Sequence, residues 1–423
     1  MTYRIESVHA IEILDSRARP TLEVTCTVNG HTATAGVPSG ASTGTREAVE
    51  LRDGDPNRYG GQGVTRAVGN VNGEIAAAIG GREFGSLADL DHALIDLDGT
   101  DTKARLGANA IVGVSIAAAR AMAAADNVVF YRWLSPEGGE LRLPVPHFNV
   151  INGGAHAQNP LDFQEFMLAP LGAASFAEAV RAGAEVYAAL RARIHANGMA
   201  TGLGDEGGFA PDLATPEEVL ELIVASIGAA GYTPGRDGVA IALDPAASEF
   251  RGDDGTYRVA GESLTSDDMI DRYASMIDRF PIWSIEDGLA ENDDDGWARL
   301  TERLGGRVQL VGDDNFVTNP AIITAAIDRG IANAALIKVN QVGTVTETLD
   351  AMAICRDAGY TQMVSHRSGE TPDTFIADLA VATGCGQLKT GAPARGERVA
   401  KYNRLLAIAD TDPDMPYGIA QPA

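Results

Sequence analysis

Four short apolar segments each run into one ionisable residue. Ile241-Ala-Leu leads to Asp244, Ile282-Trp-Ser-Ile to Glu286 with Asp287 behind it, Val308-Gln-Leu-Val-Gly to Asp313, and Leu336-Ile to Lys338. Three carboxylates suit a hard divalent cation such as Mg2+, which takes oxygen ligands. A lysine set between such a cation and other positive groups can lose its proton near neutral pH and act as a base. Four more stretches carry chemistry. Asn152-Gly-Gly-Ala-His156 through Gln164-Glu165 holds a histidine and a glutamate at opposite ends of one loop. Gly202-Leu-Gly-Asp205-Glu206-Gly-Gly sets two acids among four glycines, which allow tight turns and close backbone approach to a ligand. Ser365-His366-Arg367-Ser368-Gly-Glu370 and Leu388-Lys389-Thr390-Gly391 follow apolar runs. Arg367 can grip a phosphate or carboxylate through two parallel hydrogen bonds. Taken singly, any of these is an ordinary loop residue: His156 a structural histidine, Glu165 its buried partner, Ser39 a turn residue. Four apolar segments that each end on one ionisable group argue against that reading.

The elements that must position these groups follow from the same runs. Each run is short and sits between helix-like stretches, which predicts a buried parallel strand. The steps from Asp244 to Glu286, to Asp313 and to Lys338 are 42, 27 and 25 residues. Each fits one strand plus one helix. In a β/α barrel the C-terminal strand ends share one mouth, where catalytic groups gather. About eight strand candidates follow residue 144, among them 146–151, 164–168, 363–366 and 386–389. Helices are predicted over 176–196 and 216–229, the second with Thr215 as its N-cap. Residues 1–35 alternate like strands, with Asn29-Gly30 as a hairpin turn. Helical patterns then dominate to about residue 134, notably over 107–125, and 135–144 reads as a linker. The expected architecture is α/β: an α+β N-terminal lid domain over 1–134 and a C-terminal TIM-like β/α barrel over 144–423. The loop 36–45 has Thr45 where a Walker A loop would carry lysine, so it reads as a lid and not a nucleotide cradle. Little regular structure is expected over 410–423.

Composition narrows the partners. The 423 residues carry a net charge of −25, which argues against nucleic acid and anionic membranes as partners. An anionic substrate would need a local basic site. No unbroken apolar run reaches the roughly 18 residues of a membrane span. The start, Met-Thr-Tyr-Arg-Ile-Glu, has no signal-peptide form. Cys26, Cys355 and Cys385 form no CxxC and suggest reduced thiols in a cytoplasmic protein.

Read together, the motifs resemble the enolase family over about residues 4–408. The matching stretches are Ser39-Gly-Ala-Ser-Thr-Gly44, Val150-Ile-Asn-Gly-Gly-Ala-His156, Gln164-Glu-Phe-Met167, Gly204-Asp-Glu-Gly-Gly-Phe-Ala-Pro211 and Ala246-Ala-Ser-Glu-Phe250. They continue through Ser284-Ile-Glu-Asp287, Val311-Gly-Asp-Asp314, Lys338-Val-Asn-Gln341, Ser365-His-Arg-Ser-Gly-Glu370 and Lys389-Thr-Gly391. The resemblance implies a Mg2+-dependent hydro-lyase with an enolase-type barrel, dehydrating 2-phosphoglycerate to phosphoenolpyruvate with two Mg2+ per site. By similarity Lys338 is the base and Glu206 the acid. Asp244, Glu286 and Asp313 match ligands of the first Mg2+, and Ser39 in the lid matches a residue reaching the second Mg2+ and the substrate phosphate. His156, Glu165, His366 and Lys389 match residues that position substrate or tune the acid. Arg367 and Ser368 match the phosphate grip. A homo-oligomer, dimer or octamer, is implied by the family alone. Some positions depart from the family pattern. Enolases usually read Ser-Arg-Gly-Asn-Pro at Ser16-Arg-Ala-Arg-Pro20 and a Met-Met-like pair at His147-Phe148, and Pro160, Pro245, Pro372 and Gly396 are also unusual. These departures leave two alternatives open: a paralogue that dehydrates a phosphonate or phosphonoformyl analogue, and a non-catalytic binding protein that keeps the fold.

Overall fold

The computed structural model describes residues 2–41 and 44–419. The chain opens with strands β1 (Tyr3–Leu14), β2 (Pro20–Val28) and β3 (His31–Gly36). Asn29 and Gly30 turn β2 into β3 with φ of 49° and 80°, the left-handed pair that a two-residue hairpin demands. A short strand, β4 (Glu83–Phe84), joins the other edge of β1 and gives the order β3-β2-β1-β4. Helix Ala108–Ala125 covers this sheet along β2 and β3. Its small residues let it approach closely: a Cβ on Gly113 would come within 2.6 Å of Val24 and 2.9 Å of Val37. This helix is long and apolar enough to cross a membrane, with a mean hydropathy of 1.5, yet 83% of it is buried inside the protein. Asn109 and Arg120 interrupt its apolar sequence, and it is a core helix.

The second unit is a closed barrel. Its strands are β5 (Val145–Asn152), β6 (Glu165–Ala169), β7 (Ala240–Asp244), β10 (Ile282–Glu286), β11 (Gln309–Gly312), β12 (Ala334–Ile337), β13 (Thr361–Ser365) and β14 (Gln387–Lys389). A small hairpin, β8 (Tyr257–Val259) with β9 (Glu262–Leu264), interrupts the path from β7 to β10. The barrel strands are buried almost throughout, which is why they read as apolar runs without alternation. Helices Phe176–Ala196 and Pro216–Ala229 form where expected, and Thr215 with Glu218 closes a reciprocal capping box on the second.

One strand departs from the expected parallel series: β6 pairs antiparallel with both β5 and β7. The link from β5 to β6 holds one 3-10 turn, Gly154–His156, and no crossover helix. The chain therefore turns straight back on itself. Two helices then follow, so β7 again runs parallel to β10. The described part of the tail has little regular structure past residue 411, as expected. Helix Gly396–Thr411 reaches past residue 410, and Tyr417 bridges to Leu143.

Candidate active site

The strand ends converge as the spacing implied. Asp244 closes β7, Glu286 closes β10, Asp313 and Lys338 follow β11 and β12, and His366 and Arg367 follow β13. Because β6 is reversed, its first residue faces the mouth, and Glu165 lies in register opposite Asp244. One buried cavity is lined by residues from all these ends together with His156, Glu206, Ser368 and Lys389.

Lys389 sits at the centre of the acids. Its Nζ donates to Glu286 Oε1 at 2.7 Å, Asp244 Oδ2 at 2.9 Å and Glu165 Oε1 at 3.2 Å. Burial opposes its charge, but Asp244, Glu165 and Glu286 hold its pKa well above the usual lysine value. Burial, then the charge of Asp244, pushes Glu286 well above the carboxylate range. Glu165 Oε2 and Glu286 Oε2 are buried and lack a hydrogen-bond partner among the described residues. Carboxylate oxygens of Asp287, Asp313 and Asp314 lie within 4.8 Å of one another. Burial and the Asp313 charge raise Asp314 to about 8. Buried carboxylates crowded at this density, two of them with an unpaired oxygen, fit a hard divalent cation, which takes this donor set.

Asp287, noted in the sequence only as standing behind Glu286, shapes the next loop. It accepts from the backbone N–H of Asp313 at 2.9 Å and of Asp314 at 3.1 Å. Its own φ is 42°, and Ala246 beside Asp244 has φ 51°. Both are left-handed and strained, as residues at functional sites often are.

Lys338 is paired with Asp313. Its Nζ donates to Asp313 Oδ2, and Gln341 Nε2 holds the other Asp313 oxygen at 2.8 Å. Burial and the cations Arg367 and Lys389 disfavour its charge, yet Asp313 outweighs them and the pKa rises. Asp313 is thus the neighbour that decides, and it holds Lys338 as an ammonium here.

The opposite charge balance governs the glutamate pair. His156 Nδ1 lies 3.8 Å from both Glu165 Oε1 and Glu206 Oε1. Burial and then Glu206 raise Glu165 well above its ordinary value. Burial also opposes charge on Glu206, but His366 and His156 outweigh it and hold Glu206 well below. Asn149 Nδ2 donates to Glu206 Oε2 at 3.0 Å.

Arg367 meets a carboxylate already: its two terminal nitrogens donate to Glu47 at 2.9 and 3.1 Å, and Nη1 also reaches Asn340 Oδ1 at 3.1 Å. Ser368 Oγ accepts from Arg17 Nη1 at 3.2 Å. Ser39 is not brought to the acids. Its hydroxyl donates to Glu50 at 3.1 Å and accepts from Arg52 at 2.8 Å, and it does not line the cavity. Of the same loop, Ser42 and Thr43 lie outside the described residues.

Sequence reasoning assigned no role to Glu47, Asn149, Asn340, Gln341 or Asp314. Asn340, Gln341 and Asp314 stood inside quoted motifs, so adjacency to Lys338 and Asp313 was the available signal. Glu47 and Asn149 gave none, because their partners are distant in the chain.

A closed barrel opening onto buried acids and bases of this kind is the architecture of a β/α-barrel enzyme. Residues 140–415 match the family model described as "Enolase, C-terminal TIM barrel domain", and residues 5–134 match "Enolase, N-terminal domain". The chain is 57% identical over 410 residues to a curated protein named "Enolase" from Rubrobacter xylanophilus, covering 96% of this chain and 95% of that protein. The chain belongs to the enolase family, and it is an enzyme of the lyase class.

Proposed function

We propose that the protein is a Mg2+-dependent hydro-lyase that dehydrates 2-phosphoglycerate to phosphoenolpyruvate. The observation that carries this reading is the cavity itself: a lysine, a glutamate–histidine pair and a cation-ready set of acids face one enclosed space. Lys338 Nζ takes the proton from C2 of the substrate. Glu206, which the neighbouring histidines hold ionised here and which must take up a proton when substrate binds, gives that proton to the β-hydroxyl, which leaves as water. The C2 proton lies beside a carboxylate and is very weakly acidic, so the added negative charge must be met. Asp244, Glu286 and Asp313 would hold one Mg2+, and Ser39 would reach a second, which together would supply positive charge to that carboxylate.

This chain's residues prepare each step. A cation held by Asp313 would weaken the contact that keeps the proton on Lys338. Burial, Arg367 and Lys389 then favour the free amine a base requires. Arg367 and Ser368 hold the substrate phosphate once Glu47 gives way, with Ser39 in the lid nearby. His156, Glu165, His366 and Lys389 orient the substrate and set the protonation of Glu206.

We further propose a cytoplasmic homo-oligomer, dimer or octamer, with neither nucleic acid nor membrane as partner. The free thiols of Cys26, Cys355 and Cys385 and the charge of −25 support this placement. Of the departures from the family pattern, His147, Phe148, Pro160, Pro245, Pro372 and Gly396 do not line the cavity, and Arg19 lines the adjoining cleft with Arg367; none of them is an observation in favour of the phosphonate-analogue reading. A purely binding role has no observation in its favour. Phosphorus NMR of 2-phosphoglycerate with Mg2+ tests the proposal: phosphoenolpyruvate should form, and EDTA should stop it. No turnover of 2-phosphoglycerate, with turnover of a phosphonate analogue, would replace this reading with the alternative.

A further inference from the structure

One fully buried arginine holds the acid side of the cavity together without entering the mechanism above. Arg398 lies on helix Gly396–Thr411 with no exposed surface. Its Nη1 donates to Arg367 O at 2.6 Å, and its Nη2 to Ser368 O at 2.5 Å and Asp205 O at 3.3 Å. These carbonyls belong to the two loops that carry Glu206 and His366. Nη1 also faces His366 Nδ1. A guanidinium has donors and no acceptor, so His366 Nδ1 must accept. The single proton of the neutral ring is then on Nε2, which lies 3.2 Å from Glu206 Oε2. A second proton on Nδ1 would point at a cation, and burial pushes His366 down to about 3 in any case.

The backbone is shaped to admit this side chain. Gly391, at φ +81°, passes so close that a Cβ would lie 2.9 Å from Arg398 Cδ and 2.8 Å from Glu206 O. The next residue, Ala392, donates its N–H to Glu206 O at 2.9 Å. Tyr402, one turn further along the Arg398 helix, donates to Gly391 O at 2.6 Å. The Lys389-Thr-Gly391 stretch thus clears the path through which Arg398 reaches His366.

We propose that Arg398 is a positioning residue for the dehydration step: by occupying His366 Nδ1 it leaves the ring proton on Nε2, which faces Glu206 Oε2, and so sets the orientation of the acid. This rests on the reading of Glu206 as the acid.

The test begins with full-length protein labelled with [15N]histidine, without substrate, using His366→Gln to assign the His366 signals. The expected spectrum has Nε2 protonated and Nδ1 bare, unchanged from about pH 5.5 to 8.5, the span in which free imidazole titrates. A protonated Nδ1, or titration inside that range, overturns the proposal. Arg398→Met should then give a mixed or titrating His366 and lower kcat for dehydration about 10²-fold, the scale of one acid–base contribution. Exchange of the substrate C2 proton should change less than about tenfold, since Lys338 is untouched. Arg398→Lys keeps a charged donor and should restore the tautomer and part of kcat. Equal losses of exchange and dehydration, with the tautomer unmoved, would leave Arg398 a structural staple. If Arg398→Met does not fold, the wild-type spectrum and Arg398→Lys still decide the matter. A wild-type protein that fails to turn over 2-phosphoglycerate sinks the functional reading but leaves the tautomer measurement standing.

Discussion

Replacing Lys389 by methionine should destabilise the metal-free protein in a pH-dependent way. Lys389 is fully buried and donates to Glu165, Asp244 and Glu286, so the substitution leaves three carboxylates without their shared cation. Breaking a buried ion pair from one side costs about 3–5 kcal/mol. An unfolding entropy of about 2.1 cal/mol/K per residue over 423 residues converts this to a fall in Tm of about 3–6 °C. The sign of the pH dependence is fixed by the acids. Burial already holds Glu165 and Glu286 well above their ordinary values, and losing Lys389 raises them further. A carboxyl with a raised folded pKa contributes stability that is full below its unfolded value and is lost as pH rises through the folded one. The deficit of Lys389→Met should therefore be large at about pH 8 and shrink toward about pH 5. Calorimetric melts of both proteins in EDTA, at both pH values, measure it. Added Mg2+ should stabilise the variant more than the wild type, because its acids are less neutralised. A deficit under about 1 kcal/mol at pH 8, where breaking the pair should cost several times that, would refute the reasoning. So would a deficit that grows as pH falls.

Glu206→Gln should leave exchange of the substrate C2 proton nearly intact while slowing dehydration about 10²-fold or more; loss of both steps together, followed by NMR, would remove Glu206 from the acid role. Thr215→Ala breaks the capping box of helix Pro216–Ala229 and should cost about 1 kcal/mol in chemical denaturation. It lies away from the cavity, so kcat should not change, and a variant as stable as wild type would mean the cap is not needed.

The site was legible where chemistry and periodicity coincide. Asp244, Glu286, Asp313 and Lys338 each terminate a buried apolar run, and the barrel places all four at one mouth. Thr215-Pro216 and Asn29-Gly30 marked a helix start and a turn because their local backbone needs depend on neighbours alone. The reversal of β6 was harder to see, since an apolar strand reads the same in either direction and only the missing crossover helix before it carried the information. Long-range pairs were invisible. Glu47 meets Arg367 across 320 positions, and Arg398 meets His366 across 32, and neither shows a local pattern. The contact of Lys338 with Asp313 was not legible either: its cationic neighbours and a metal were counted, but the pairing of two strand ends was not. Nor were the partners of Ser39 legible: its hydroxyl meets Glu50 and Arg52.

The most direct measurement uses 2-phosphoglycerate carrying deuterium at C2, incubated with Mg2+ and either wild-type protein or Lys338→Ala, with loss of label followed by NMR. The wild type should wash the label out, and Lys338→Ala, folded by its melting curve, should retain it at least about 10²-fold longer. Washout at the wild-type rate in Lys338→Ala would show that another group takes the proton.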